Sequence, residues 1–419
     1  MSSKQCSSSY IDDLCARAKS AVHVAANLST SDKNNILMHI SSELRKNISY
    51  IISENKKDLD NAGKQGVSSA FYDRLMLDEK RIEGIAVSVE EIAKFPDPVG
   101  RIENMKIVPS GIRVGQMRIP LGVVAVIYES RPNVTVDIAA LCIKSGNVAI
   151  LRGGEEAVNS NMAFAGIIRN AIKEYGQPEN IVNLMENLDR DLVPILLKKN
   201  KEIDIVIPRG GEGLISMVTR ESTIPVLKHE KGVCHIFIDE SAVKETAERI
   251  TLNSKVQRPS ACNAAETLLI HEKYPYTVNL IQCLIDNGVE VRGCKKTASL
   301  KPGIKPADEN DWSTEYLDLI ISVKIVSSFN EAIEHVSRYN SGHTETIITS
   351  DYYNSERFLK EIDSAAVMVN ASTRFHDGGE FGLGAEVGIS TQKLHARGAM
   401  GIEGLTTLKY IVYGNGEVR

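Results

Sequence analysis

At 419 residues the chain is too long for one ordinary core, and roughly two or three domains follow from about 150 residues per domain. Its 42% apolar and 25% charged residues are ordinary globular values, and a net charge of −5 gives no electrostatic case for nucleic acid or an anionic membrane surface. No run approaches the roughly 20 apolar residues of a membrane span, and Met1-Ser2-Ser3-Lys4-Gln5-Cys6 shows no apolar core behind a basic region, so no secretory signal is expected.

Taken in chain order, residues 10–95 read as helical. Ile36, Leu37, Ile40, Leu44, Ile48, Ile51 and Ile52 fall on one face, and Ser29 with Asp32 forms a capping box at the start. Asp97-Pro98-Val99-Gly100 breaks that pattern. An alternating stretch from Lys106 to Arg118, with Ser110-Gly111 inside it, predicts a β-hairpin that has little core of its own and is expected to pack on another subunit. Apolar runs then alternate with helical spacing. Strands are expected at 123–128, 148–151 and 203–207, with helices from about Val134 and Val158. A second series follows at 234–239, 264–270, 319–326, 346–349 and 365–369, again with helices between. Such alternation predicts an α/β protein with two doubly wound parallel sheets, packed as domains with a cleft between them. Leu405 to Arg419 alternates and reads as an edge strand.

Seven cysteines without framework spacing suit a reducing cytoplasm. Nine histidines without His-Glu-x-x-His, and no Cys-x-x-Cys pair, predict no metal site. Cys15, Cys142 and Cys283 stand at apolar helical positions, where a small hydrophobe is the default. Cys6 lies in a serine-rich start, and Cys234 opens a strand and is expected to be buried. Cys294, beside Lys295 and Lys296, is the rival thiol. It is expected in a surface loop without amide or hydroxyl donors. Cys262 differs from all of them. It sits in the turn Gln257-Arg258-Pro259-Ser260-Ala261-Cys262-Asn263, between a helical segment ending at Val256 and a strand starting at Ala264. Pro259 forces an irregular backbone there. A thiol reacts as its thiolate, and Arg258 favours that form, so Cys262 is the candidate nucleophile, with space-filling as the alternative.

Three further constellations suit an enzyme. Ser130-Arg131-Pro132-Asn133 follows one strand and opens a helix, where the Asn133 amide either caps the helix or meets an oxyanion. Leu151-Arg152-Gly153-Gly154-Glu155 and Pro208-Arg209-Gly210-Gly211-Glu212-Gly213 are glycine turns at strand ends, where backbone meets phosphate or the chain simply turns.

Longer runs carry a resemblance over essentially the whole chain. They include 120–137, with Tyr128-Glu129-Ser130-Arg131-Pro132-Asn133, and the turns at 151–154 and 207–211. They continue through Gly232-Val233-Cys234-His235, the 257–263 loop, Val369-Asn370-Ala371-Ser372-Thr373-Arg374-Phe375, and the segment from Phe381 through Gly398. In these the chain resembles the γ-glutamyl phosphate reductases of the aldehyde dehydrogenase superfamily. The resemblance implies an aldehyde dehydrogenase-like fold. It implies a cofactor-binding domain over 1–105 and 120–227, a catalytic domain over 228–387, and oligomerisation strands over 106–119 and 400–419. Cys262 then matches the acylated nucleophile and Asn133 the oxyanion amide. Arg152 and Glu155 fall near the adenosine ribose, Gly210 and Gly211 at the pyrophosphate, and Glu315 near the nicotinamide ribose. Arg131, Arg258, Ser260, Asn263 and Arg374 are expected to bind substrate. The implied activity is NADPH-dependent reduction of L-glutamyl 5-phosphate to L-glutamate 5-semialdehyde in the cytoplasm, the second step of proline synthesis from glutamate, by a homo-oligomer that a glutamate 5-kinase supplies. Glu155 pulls against NADP, because a carboxylate near the ribose repels a 2′-phosphate. The chain departs from the family pattern at Asn340 and Ala399, neither of them at a catalytic role. Hydrolytic aldehyde dehydrogenases, the alternative, carry a water-activating glutamate in Glu-Leu-Gly-Gly. Aligning the strands places Lys228 there, with Glu230 two residues on.

Overall fold

The computed structural model describes residues 3–228, 231–383 and 385–419, so Glu230 and Gly384 lie outside the described residues, as does the side chain of Cys6. The described chain forms two compact units: 1–228 with 382–388 and 400–419, and 229–381 with 389–399. Residues 382–383 and 385–387, grouped by sequence with the second region, belong to the first unit.

In the first unit the helical start begins at Ser3 and comprises Ser3–Ala26, Thr30–Lys46, Ile48–Lys64, Ser69–Leu75 and Glu79–Lys94. Ser29 accepts the Asp32 N–H and Asp32 accepts the Ser29 N–H, so the expected capping box is present. Asn47 breaks the long amphipathic stretch (φ −103°, ψ 15°) and resets its face. Ile36, Leu37, Ile40, Leu44 and Ile51 are therefore buried while Ile48 and Ile52 are only half-buried.

Behind these helices lies a four-stranded parallel sheet in the order Val182–Leu184, Val148–Arg152, Val123–Tyr128, Ile205–Arg209. Val123–Tyr128 is buried at every position, which is why it reads as an unbroken apolar run. Val182–Leu184, three residues long, is too short to announce itself by periodicity. Strand order reverses on either side of Val123–Tyr128, so the topological switch point of the sheet, where open α/β sheets bind ligands, lies at the carboxyl ends of Val123–Tyr128 and Ile205–Arg209. The expected hairpin is present as Ile102–Ile107 paired antiparallel with Arg113–Pro120. Thr406–Tyr413 pairs along the other side of Arg113–Pro120, so the C-terminal stretch completes a three-stranded sheet. Ile107, Tyr410 and Val412 on that sheet are exposed.

The second unit is built on a seven-stranded parallel sheet. Its order is Lys305–Pro306, Glu290–Gly293, Ile320–Val326, Ala265–His271, Cys234–Ile238, Thr344–Ile348, Ala366–Val369. Glu290–Gly293 and Lys305–Pro306 escaped the sequence reading because four and two residues carry no readable alternation. Ala265–His271 is buried throughout. Three neighbouring strands, Ile320–Val326, Ala265–His271 and Cys234–Ile238, are entered by the loops that carry Glu315, Cys262 and Gly232. Those three loops therefore meet at the amino edge of the sheet.

Candidate active site

In the first unit the sequence-predicted residues gather at the carboxyl ends of the parallel strands. Gly210 and Gly211 follow Ile205–Arg209 and lead into helix Glu212–Glu221. The Gly211 N–H donates to the Glu129 carboxylate at 2.9 Å. A Cβ on Gly210 would lie 2.6 Å from that same carboxylate, so a side chain there would displace Glu129 from the turn. The turn thus already holds an anion, as helix N-termini favour. Glu129 was not singled out by sequence. A second glutamate, Glu156, accepts the Ser130 N–H.

Arg152, the last residue of Val148–Arg152, donates from its two terminal nitrogens to the Gly153 and Leu188 carbonyls, each at 3.0 Å, and its buried Nε has no acceptor. Burial, opposed chiefly by Glu155, holds its pKa below the ordinary arginine range. Glu155 is exposed and lies 3.5 Å from Arg190, a cation that no motif had marked.

Asn133 is the first residue of helix Asn133–Lys144, whose cap position belongs to Pro132, and its side chain caps nothing. Instead the Asn133 amide donates to Asp137 at 2.9 Å, one turn along the helix. One amide N–H is thereby fixed in direction and the other remains to offer. Burial pushes the Asp137 carboxyl up to about 6, with Asn133 and Arg209 working the other way. Arg131, just before Asn133, is exposed.

In the second unit Cys262 lies half-buried in a turn that follows helix Lys244–Val256. Ala261 and Ala264 donate N–H groups to Arg258 and Ala261, which shapes the turn locally. Gly232 presses on this loop, since a Cβ there would stand 1.7 Å from the Cys262 carbonyl oxygen. The same Gly232 donates its N–H to Glu315 at 2.8 Å, so Glu315 and the Cys262 loop are brought together. Cys234 donates its S–H to the Cys262 carbonyl at 3.3 Å.

Arg374 donates to the side-chain carbonyl of Gln257 at 2.7 Å. Burial and then the neighbouring Arg258 hold Arg374 below its ordinary pKa, while Cys262 acts in the opposite sense. Arg258, Arg374 and Cys262 are therefore electrostatic neighbours. Ser260 and Arg258 are exposed. Asn263 is buried and donates to the His376 carbonyl at 3.0 Å, so its N–H groups tether the 372–376 segment and only Oδ1 is left without a partner.

The other thiols separate by environment. Burial pushes Cys15 and Cys142 up to about 12, raises Cys234 well above its usual value, and raises Cys283. Cys294 corrects the sequence reading. It stands at the start of a short helix, Lys295–Ala298, with Thr297 Oγ1 3.3 Å from its sulfur. Burial is the largest influence on it and raises its pKa, yet hydrogen bonds from the Thr297 hydroxyl and from the Thr297, Ile325 and Lys296 backbone together hold it below the ordinary thiol value. Loop donors can arise from any strand packed alongside, so local sequence could not exclude them.

Among the described residues one group has metal-ligand spacing, His39 with Glu43 and Glu174 on the helical side of the first unit. His39 Nε2 sits 2.8 Å from Glu174 Oε2, a side-chain contact on the helix surface. No helix of the described residues is long and apolar enough to cross a membrane.

A family model described as "Aldehyde dehydrogenase family" matches residues 1–287. The gamma-glutamyl phosphate reductase of Carboxydothermus hydrogenoformans is 51% identical over 409 residues, covering 97% of this chain and 99% of that protein. That of Clostridium perfringens is 50% identical over 405 residues, covering 96% and 98%. The crystal structure of the gamma-glutamyl phosphate reductase from Thermotoga maritima superposes with a TM-score of 0.96 at 46% identity, over 98% of this chain and 99% of that one. An acetylating aldehyde dehydrogenase from Geobacillus thermoglucosidasius shares the fold at 17% identity, with a TM-score of 0.70 over 99% and 98% of the two chains. The α/β architecture with parallel sheets expected from sequence is thus the aldehyde dehydrogenase fold, and the chain belongs to that family and, within it, to the gamma-glutamyl phosphate reductases.

Proposed function

We propose that this enzyme reduces L-glutamyl 5-phosphate to L-glutamate 5-semialdehyde with release of phosphate, in the synthesis of proline from glutamate. The observation that carries the reading is the near-identity in length and the 51% identity to γ-glutamyl phosphate reductases. Cys262 is the nucleophile. Its thiolate forms a bond to the acyl carbon, and the carbonyl electron pair moves onto oxygen. The electrons return as the bond to phosphate breaks, leaving a thioester on Cys262 and free inorganic phosphate. The N–H of Asn133 not spent on Asp137, and the Cys262 backbone N–H, are assigned to the oxyanion. Arg131, Arg258 and Arg374 meet the phosphate and the substrate's α-carboxylate, and Ser260 lines the same loop.

NADPH, when bound, supplies the hydride that reduces the thioester. The residues present suit a dinucleotide: the Gly210–Gly211 turn offers a backbone donor to an anion, Arg152 has a buried Nε without an acceptor, and Arg190 offsets the charge of Glu155. Glu315 is assigned to the nicotinamide ribose. The first unit is read as cofactor-binding and the second as catalytic. The exposed apolar residues of the three-stranded sheet, Ile107 on one face and Tyr410 and Val412 on the other, support a homo-oligomer. A cytoplasmic location, without metal, and supply by a glutamate 5-kinase complete the reading.

Lys228 at the place of the hydrolytic glutamate supports a thioester that is reduced and not hydrolysed. The test is the reverse reaction. Reduction of NADP by glutamate 5-semialdehyde is expected to require inorganic phosphate or arsenate, and equal turnover without either would replace this reading with a hydrolytic aldehyde dehydrogenase.

A further inference from the structure

The loop carrying Cys262 is closed at its base by a buried ion pair that the reaction does not use. Lys255, in the last turn of helix Lys244–Val256, and Glu266, near the start of strand Ala265–His271, are both fully buried. Lys255 Nζ donates to Glu266 Oε2 at 2.6 Å. One partner precedes the nucleophile and the other follows it, so the pair fixes both ends of the loop.

The second oxygen of Glu266 reaches elsewhere. Glu266 Oε1 accepts the N–H of Leu317 at 3.2 Å. Leu317 holds a left-handed backbone, φ 55°, which a leucine adopts only against steric cost. Such a conformation persists where its surroundings over-determine it, and the Glu266 carboxylate is one such determinant. Leu317 directly follows Glu315-Tyr316. Glu315 in turn accepts the Gly232 N–H, and Gly232 lies against the Cys262 carbonyl. The contacts form a closed circuit from the Cys262 loop through Glu266, Leu317, Glu315 and Gly232 back to Cys262.

Stability is a weak reason to keep the pair. A buried ion pair can often be replaced by apolar side chains of similar volume without loss of stability, because desolvation cancels the attraction. Burial is the largest influence on both groups here, raising Glu266 to about 7 and lowering Lys255.

We propose that Glu266, held by Lys255, is a positioning residue that keeps the nucleophile loop and the Glu315 segment in one register, so that thiol and cofactor ribose are presented together. This rests on the roles given above to Cys262 and Glu315.

The test compares wild type, Glu266→Gln, Glu266→Ala and the double variant Lys255→Met/Glu266→Leu. Three quantities are read: kcat and KM in the phosphate-dependent reverse reaction, the Kd of NADPH by fluorescence, and the rate of Cys262 alkylation by iodoacetamide. Displacement of reacting groups by about an ångström costs on the order of 10²-fold in rate. The double variant is therefore expected to melt near wild type, to lose roughly 10–100-fold in kcat, and to change both NADPH affinity and alkylation rate. Glu266→Gln, which keeps an acceptor for Leu317, is expected to recover most of the kcat lost in Glu266→Ala. A folded double variant with wild-type kcat and NADPH affinity would overturn the proposal. So would unfolding of all three variants, since the pair would then be a stability element. Absence of phosphate-dependent activity in the wild type would instead defeat the reductase reading, while alkylation and NADPH binding would still report whether the two segments are coupled.

Discussion

In the first unit Glu129, Ser130, Gly210 and Gly211 follow the carboxyl ends of Val123–Tyr128 and Ile205–Arg209, whereas in the second unit Gly232, Cys262 and Glu315 precede the amino ends of their strands. The two placements have different electrostatic consequences. At the carboxyl ends of parallel strands the following helices present their N-termini, so donors and partial positive charge face an anion. Gly211 shows this by holding Glu129. At the amino edge of the second sheet the opposite applies. Helix Lys244–Val256 ends before the Cys262 turn, so the chain enters that turn from a helix C-terminus and no helix N-terminus precedes the thiol. Arg258 and Arg374 supply the positive charge that the backbone there does not. The comparison teaches that one edge meets an anion with main-chain geometry, while the other, where Cys262 is proposed as nucleophile, relies on individual side chains.

That contrast breaks most sharply at Cys262. Cys262→Ala should abolish reduction and leave NADPH binding, measured by fluorescence, unchanged. Cys262→Ser should be nearly as inactive, because a hydroxyl without an adjacent base is a poor nucleophile near neutral pH. Loss of NADPH binding in Cys262→Ala would show that the two functions are not divided in this way.

The next largest effect is expected at Asn133, the one residue of the first unit assigned to chemistry. Asn133→Ala should lower kcat by roughly 10²–10³ with little change in substrate KM, as removal of a preorganised donor does. A variant that melts earlier yet keeps kcat would reduce Asn133 to a partner of Asp137.

A smaller effect sharpens the cofactor side. Arg152→Ala should raise the KM for NADPH by about tenfold, the equivalent of about 1.4 kcal/mol, while the KM for NADH stays nearly constant. Equal losses with both would assign Arg152 to the shared ribose, and would move the 2′-phosphate contact to Arg190.

The smallest effect is expected at Cys294. Hydrogen bonds that hold its pKa below the ordinary thiol value make Cys294 the expected competitor in alkylation, so rapid labelling alone does not identify the nucleophile. Substrate should protect Cys262 and not Cys294, and Cys294→Ala should keep full activity. Mass spectrometry of iodoacetamide adducts with and without substrate reads both.

Much of the fold was legible because buried parallel strands carry apolar runs: Val123–Tyr128 is apolar and buried at every position, and Ala265–His271, also buried throughout, keeps Leu268, Leu269 and Ile270 in a row. Val182–Leu184 and Glu290–Gly293 were not, because a strand that short carries no period. The sequence by itself determined that Cys262 stands in a turn between helix and strand, since Pro259 and the change of periodicity are local facts. It also set the glycine turns at the strand ends. Only the tertiary structure decided which groups meet. Asn133 faces Asp137 and caps nothing, Cys294 gains donors from Thr297 and from a neighbouring strand, and Glu266 joins Lys255 to Leu317. Side-chain rotamers, which decide whether local pairs such as Asn133 with Asp137 meet, and the packing that brings Glu266 to Leu317, are set by which segments pack together in space and leave no mark in local composition or period.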